Sequence, residues 1–273
     1  MVLQPVMNAS ADSQVRSTGP IPAWDAIQAT QLQPAACHWL INQPDHAVLA
    51  GDLAANFVSP LFPKLDSEIV QAIAIHDAGW VIFEPERNPA TPPCLMPGGK
   101  PQSFFEVAPC DFVRAWRSCI DAAEKLKPIA ALMVSGHFCR LAEYRTRTLN
   151  DPPADASLLR DFLQGERGRQ ERLSGKQRRT PAEIEALVDV LQFCDLLSLY
   201  LCCGAAEEVE FPQKFTGRRV RARRRGGAVQ FDPSPFRPAG DESPGGVSLG
   251  VRASRYPRSP EGPNTCILPL VLW

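Results

Sequence analysis

The doublet His76-Asp77 lies late in an apolar run with helical spacing, and it strongly constrains how this chain can fold. The run predicts a helix from Asp66 to about Phe83, and one face of that helix carries Ile69, Ile73, His76 and Trp80. Imidazole and carboxylate groups both bind divalent cations, and both are costly to bury without a partner. The doublet therefore predicts half of a metal site whose other ligands come from elsewhere in the chain.

Three more polar residues interrupt the apolar faces of predicted helices. His46 lies on the buried stripe of a helix that begins near Gln43, and His137 lies inside an apolar helix that follows Pro128. Asp195 lies on the apolar stripe of a late helix that continues to about Cys203. A single buried histidine is usually a hydrogen-bonded core residue, and Asp195 alone could pair with an arginine such as Arg140. One cation would compensate the desolvation of all these groups together.

The distribution of these patterns predicts a mainly α fold with three parts. Residues 1–35 are polar and predict an extended or partly disordered arm, which Trp24 would anchor. Residues 36–203 predict a helical bundle that carries the candidate ligands. Residues 204–273 alternate apolar and polar positions between many Gly and Pro residues, which predicts a small β-rich extension packed on the helices.

The composition of the chain limits the partners and the cellular location that we expect for the protein. Among 273 residues the net charge is -1, which excludes a general attraction to nucleic acid or acidic membranes. The nine cysteines form no C-x-x-C pair, so we expect reduced thiols in a cytoplasmic protein. We see no secretory signal and no apolar run of about 18 residues, so no membrane association is expected. The sequence does not indicate an oligomeric state.

The order of the candidate ligands resembles the HD-domain superfamily of metal-dependent phosphohydrolases, in which a helical bundle holds the metal. The resemblance implies that His46 is the first histidine, that His76 and Asp77 are the doublet, and that Asp195 is the last aspartate. His137 lies where some members place an additional histidine, which binds a second metal or the substrate phosphate.

A closer resemblance, over residues 36–240, is to an uncharacterised and mainly bacterial family of HD-like proteins, a domain of unknown function. The matching motifs are Gln43-x-x-His46, His76-Asp77-Ala78-Gly79-Trp80, Ser135-Gly136-His137-Phe138, Phe193-Cys194-Asp195 and Asp232-Pro233-Ser234-Pro235-Phe236. That family has no established activity to transfer, so the superfamily's chemistry applies only by analogy.

The superfamily resemblance implies metal-assisted hydrolysis of a nucleotide or another small phosphorylated molecule. One or two divalent transition-metal ions (Mn, Fe, Zn or Ni) would be bound by His46, His76, Asp77, His137 and Asp195. Asp77 would also orient the attacking water, while His137 and Arg140 would neutralise the phosphate. The alternative is a non-hydrolytic metal-binding sensor, or an oxygenase-like variant of the HD fold.

Two segments outside the ligand set have competing interpretations. The proline-rich residues 85–102 predict either an active-site lid or a passive surface connection. The arginine-rich run Arg218–Arg225 could contact nucleic acid or a phosphate-rich ligand. We favour a solvated edge strand for this run, because edge charges discourage strand pairing.

Overall fold

The computed structural model describes residues 1–6, 19–84, 93–148, 151–237 and 246–273. The described helices are α1 (Ala23–Leu32), α2 (Gln43–Ala55), α3 (Ser67–Ala74), α4 (Pro109–Leu126), α5 (Pro128–Thr148), α6 (Pro153–Ser174) and α7 (Pro181–Cys203). The described strands are β1 (Val2–Pro5), β2 (Ile21–Pro22), β3 (His38–Ile41), β4 (Val209–Phe215), β5 (Arg218–Arg225), β6 (Ala228–Asp232), β7 (Val247–Tyr256) and β8 (Thr265–Leu272).

The strands form one mixed sheet in the order β1-β3-β7-β8-β6-β5-β4-β2. Strand β3 pairs antiparallel with β7, so that His38 lies opposite Tyr256. Strand β2 pairs parallel with β4. The two edges of the sheet are therefore built by short strands from the beginning of the chain, and its centre is built by strands from the end.

The predicted mainly α bundle with a small β-rich extension is wrong. The strands expected after residue 204 are present, but they belong to an eight-stranded sheet within the described residues, and that sheet includes β1, β2 and β3. These three strands are only two to four residues long, too short for an alternating pattern to identify them. Their identity as strands depends on partners at the other end of the chain.

The N-terminal residues also contribute to the core. Helix α1 lies within the residues for which we predicted an arm, and its Ala26 and Ile27 are fully buried. Gln31 ties this helix to β1, since its side chain accepts from Leu3 N at 2.8 Å and donates to Leu3 O at 2.6 Å. Residues 7–18 of the predicted arm lie outside the described residues. The division of the chain into domains stays a prediction.

Helix α7 is the central core helix. It begins at a capping box, in which Thr180 Oγ1 accepts from Glu183 N at 3.3 Å and Glu183 Oε2 accepts from Thr180 N at 2.7 Å. By length and composition it could cross a membrane, but 83% of its most apolar stretch is buried inside the protein. Such burial is typical of the core helix of a soluble protein. A cytoplasmic location stays a prediction.

The chain around the His-Asp doublet departs from the predicted long helix. Asp66 caps α3 as predicted and accepts from Ile69 N at 2.9 Å, but α3 ends at Ala74. A 3₁₀ turn over Ala78–Ile82 follows. Gly79 is required here, because a Cβ at this position would lie 2.2 Å from Cys119 N of α4. Close packing on α4 thus fixes the turn that directly follows the doublet.

The arginine-rich run forms β5, which lies between β4 and β6 and is not an edge strand. Arg219 and Arg221 both pair with Glu210 on β4, at 2.9 and 3.1 Å. Arg224 points to the opposite face and donates to the carbonyls of Leu201 and Ala205, at 3.2 and 2.8 Å. It thereby binds carbonyl groups at the carboxyl end of α7.

All nine cysteines of the chain lie in the described residues, and each is a free thiol, as predicted. Burial raises the pKa of Cys203 on α7 to about 12 and that of Cys194 well above its ordinary value. These thiols behave as small apolar side chains of the core.

Candidate metal centre

Four elements bring the predicted ligands together. His46 comes from α2, His137 from α5 and Asp195 from α7, while the doublet follows the end of α3. All five side chains are buried, and His46 and His76 have no exposed surface. His46, His76 and Asp195 each offer one ligand atom, and these atoms lie within 4.8 Å of one another. This buried His-His-Asp triad could hold a metal ion.

The orientation of His76 is fixed by the backbone. Its Nδ1 lies 2.8 Å from Ile73 O, and a carbonyl oxygen can only accept, so Nδ1 carries a proton. In the neutral ring the lone pair is then on Nε2, which lies 3.3 Å from Asp195 Oδ1 and 3.8 Å from Asp77 Oδ2. A backbone carbonyl that holds the outer nitrogen of a ligating histidine is a common feature of metal sites.

His46 is oriented by a serine. The Ser198 hydroxyl donates to Asp195 O at 2.8 Å, which leaves its oxygen free to accept from His46 Nδ1 at 3.0 Å. The remaining nitrogen of the neutral ring, Nε2, then presents its lone pair to Asp77 Oδ2 at 2.9 Å. Two acceptors at this distance repel each other unless a proton or a cation lies between them.

The spacing of these atoms suits a shared cation. Ligand atoms bound at about 2.0–2.1 Å lie roughly 2.8–3.4 Å apart when they are neighbours, and at most about 4.2 Å apart when they are opposite. The separations of His76 Nε2 from Asp195 and Asp77, 3.3 and 3.8 Å, fall in this interval. The 2.9 Å between His46 Nε2 and Asp77 Oδ2 lies at its lower end.

A proton replaces the cation when no metal is bound. Burial opposes a charge on His76, but Asp77 and Asp195 outweigh burial and raise the pKa of His76 to about 9. Burial likewise opposes a charge on Asp195, yet the hydrogen bond from His76 and the neighbouring histidines hold its pKa well below the ordinary value. The metal-free cluster is therefore held together by a buried imidazolium and a carboxylate.

His137 lies at the side of the triad. Its Nε2 is 3.7 Å from Asp195 Oδ2, and its ring centre is 5.6 Å from that of His76. Burial lowers the pKa of His137 to about 4, so this imidazole is neutral at physiological pH. Its Nδ1 is buried without a hydrogen-bond partner in the described part of the chain. It is thus free to meet a second ion or a bound ligand.

The structure does not bring Arg140 to the cluster. Its guanidinium donates to Asp189 Oδ1 at 2.6 Å and to Gln192 Oε1 at 2.7 Å, and it also pairs with Glu185. All three partners lie on α7, upstream of Asp195. The predicted role of Arg140 in binding a phosphate stays a prediction, and its contacts give it no support.

A cavity of about 280 Å³ opens onto the cluster. His46, Asp77, His137 and Asp195 line one part of it, and most of the other lining residues are apolar or aromatic. Trp80, the residue after Gly79, both lines this cavity and is buried in the core.

The sequence did not indicate several residues that complete the site. Ser198 is the polar residue one turn after Asp195 in the apolar run of α7, and that position was the available signal. Phe104 and Phe105 line the cavity directly after the predicted lid, whose residues 85–92 lie outside the described chain. Trp24 packs against Phe105 with ring centres 4.9 Å apart, which confirms that Trp24 anchors the N-terminal segment.

Comparison with known proteins gives one match. A family model described as a protein of unknown function (DUF3891) matches residues 33–240, which is about three quarters of the chain. No curated protein and no solved structure matches the chain.

Proposed function

The chain belongs to the DUF3891 family of proteins of unknown function, and we propose from its site that it is a metal-dependent hydrolase. One observation carries the proposal: His46 Nε2 and Asp77 Oδ2 face each other at 2.9 Å in the core, beside a second such pair at 3.3 Å formed by His76 and Asp195. Buried lone pairs in this arrangement require a cation or protons.

The donor set suits a transition metal. Imidazole nitrogen with carboxylate oxygen favours Mn, Fe, Zn or Ni over calcium, which prefers oxygen ligands only. His46, His76 and Asp195 would hold one ion, with Asp77 beside it, and a second ion would require His137. When bound, such an ion lowers the pKa of a water molecule and polarises an ester oxygen.

The protein's own residues have separate tasks in the proposed hydrolysis. Asp77 lines the cavity next to the triad, and it would orient the attacking water and accept its proton. The water oxygen forms a bond to the phosphorus or carbonyl carbon of the substrate, the ester bond breaks, and the proton passes to the departing alkoxide. His137, neutral and buried, would donate a hydrogen bond to the substrate's oxygen atoms.

The resemblance to HD-domain phosphohydrolases supports a phosphoester as the substrate. Arg140 is left out of this proposal because Asp189 and Glu185 already hold its guanidinium. A second candidate is non-hydrolytic, oxygenase-like chemistry at the same metal, and the predominantly aromatic and apolar cavity favours it. Walls of this kind exclude water, which a hydrolase must admit.

The test is metal reconstitution followed by a hydrolysis assay. Purified protein is stripped with a chelator, reloaded with Mn, Fe, Zn or Ni, analysed for metal by mass spectrometry, and assayed with 4-nitrophenyl phosphate and 4-nitrophenyl acetate. We expect one or two ions per chain and release of nitrophenolate that depends on the ion.

Two variants compare the loss of a metal ligand with the loss of a buried histidine outside the cluster. His76→Ala removes a ligand and should abolish both metal binding and turnover. His38→Ala removes another buried histidine, on β3 and outside the cluster, and should retain both. Metal binding without product release would favour the second candidate. Failure of the wild-type protein to bind any of the four metals contradicts the proposal.

A further inference from the structure

We infer that the substrate presents an aromatic or similarly apolar organic group to the cavity and is not a nucleotide or another polyanion. The inference rests on the proposed function, since it concerns what lies beside the metal. It rests independently on the walls of the cavity, its charges and its unpaired polar atoms.

Many of the side chains that line the cavity are aromatic. The described lining residues include Trp24, Trp80, Phe105, Phe112, Trp116 and Tyr144. Phe112 bridges two tryptophans, with ring centres 5.4 Å from Trp80 and 5.4 Å from Trp116. Trp24 lies 6.4 Å from Tyr144 on another part of the wall. Such faces bind flat apolar groups by burial and by edge-to-face contact.

The volume suits a ring with a small head group. An apolar cavity of about 150 Å³ is enough to bind benzene, and this cavity measures about 280 Å³. Leu32 and Tyr144 line it and are each about half exposed, so it reaches the protein surface beside these two side chains and the exposed polar residues Gln28 and Thr148. An apolar ligand would enter past these side chains.

The charges in the cavity do not suit a polyanion. Among the described lining residues the only lysine or arginine is Arg145, and Asp151 already binds its guanidinium through two contacts of 2.7 and 2.9 Å. A divalent metal ion would be balanced by the carboxyl groups of Asp77 and Asp195. No unpaired cation remains among these residues for a chain of phosphates, which arginine and lysine usually bind.

Three lining residues carry a buried polar atom without a hydrogen-bond partner in the described chain: Gln43 Oε1, Trp80 Nε1 and His137 Nδ1. The Trp80 indole can only donate and the Gln43 oxygen can only accept. Buried groups of this kind are costly to leave unpaired. A single polar head group at the metal end of a largely apolar ligand would supply partners for such atoms.

The experiment compares two hydroxamates that share a metal-binding group and differ only in their organic part. Calorimetric titration of the metal-loaded protein should give at least about tenfold tighter binding for benzohydroxamate than for acetohydroxamate, because a buried phenyl ring removes more apolar surface from water than a methyl group does. Adenosine monophosphate should bind more weakly than benzohydroxamate. Chelator-treated protein is titrated with 4-nitrophenol, which should still bind because the aromatic walls do not depend on the ion.

A pair of variants locates the bound ring. Leu141→Trp fills the cavity from α5 and should weaken benzohydroxamate and 4-nitrophenol about tenfold or more. Leu158→Trp makes the same change at a half-buried position on α6 that does not line the cavity, and it should leave both affinities unchanged.

Equal affinities for the two hydroxamates in the wild-type protein, or tighter binding of adenosine monophosphate, would overturn the inference. If the proposed metal-dependent function is wrong, the same titrations would give a different result. The chain would then bind no metal and neither hydroxamate, while 4-nitrophenol would still bind in a manner sensitive to Leu141→Trp.

Discussion

The cluster around His76 and the arginine strand β5 both concentrate charged or ionisable side chains, but their environments differ. In the cluster the groups are buried, and the His46-Asp77 and His76-Asp195 pairs lie 2.9 and 3.3 Å apart. On β5 most of the arginines face solvent, and Glu210 already pairs with two of them. Density of charge therefore does not identify a functional site. Buried groups whose pairing is incomplete within the protein are the better indicator.

The largest difference between these regions should appear in the free energy of unfolding when one carboxylate is removed from each. Asp195→Ala in chelator-treated protein leaves His76 buried without its partner, and we expect a loss of about 3–5 kcal/mol in the free energy of unfolding. Asp232→Ala makes the same substitution beside Arg218, at a largely exposed contact of 3.3 Å, and should cost less than about 1 kcal/mol. Urea denaturation measures both. Equal losses would remove the distinction between the two regions.

Metal binding should stabilise the protein only through the cluster. At a free metal concentration about 100 times the dissociation constant, the free energy of unfolding should rise by about 2.7 kcal/mol. The gain should disappear in His46→Ala and persist in Arg221→Ala, which alters only β5. Thermal unfolding with and without metal measures this gain. An equal gain in both variants would place the ion elsewhere.

Proton release should accompany metal binding. In the metal-free protein the pKa of His76 is raised to about 9, so its stabilising charge is fully present below the ordinary value of 6.5 and is lost as the pH rises through about 9. A metal must displace this proton, so metal affinity should rise with pH up to about 9 and then level off. Calorimetry at pH 7.5 in buffers of different ionisation enthalpy should report about one proton per ion. Release of no proton would contradict the imidazolium in the metal-free cluster.

The smallest effect is expected on β5. Arg219→Ala removes one of two arginines that share Glu210, and we expect a change of less than about 1 kcal/mol in stability. Because Arg218, Arg219 and Arg221 already pair with acidic residues on neighbouring strands, the protein should bind neither single-stranded nor double-stranded oligonucleotides at 50 mM salt. Fluorescence anisotropy tests this. If the protein does bind an oligonucleotide and Arg219→Ala weakens that binding, the result would support the nucleic-acid interpretation of this strand.

Local features of the fold could be predicted from the sequence, and long-range ones could not. The capping box at Thr180 and Glu183 depends on residues three apart, and a histidine or aspartate on an apolar stripe is visible without a structure. The pairing of His38 with Tyr256 joins opposite ends of the chain, and no local pattern encodes it. The close packing of Gly79 on α4, in the 3₁₀ turn after the doublet, is also a tertiary effect.

The candidate ligands were also recognisable from local sequence patterns, whereas other parts of the site were not. His46, His76, Asp77, His137 and Asp195 were predicted as neighbours and lie together, because desolvation of each demanded a common partner. Arg140 was considered as an alternative partner for Asp195, but its guanidinium binds Asp189 on α7, and the sequence cannot choose between two aspartates on one helix. The aromatic walls were not predicted, since they come from segments scattered along the chain.

The order of strands in the sheet also has a consequence for biosynthesis. Because β2 and β3 emerge from the ribosome long before their partners β4 and β7, their pairing with these partners must wait until the later strands have been made. A fragment that ended at Cys203 would leave these strands exposed, and it would lack the Arg224 contacts at the end of α7. Truncation at that residue is therefore a poor route to an isolated metal-binding domain, and completion of the sheet during folding must wait for strands β4 to β8.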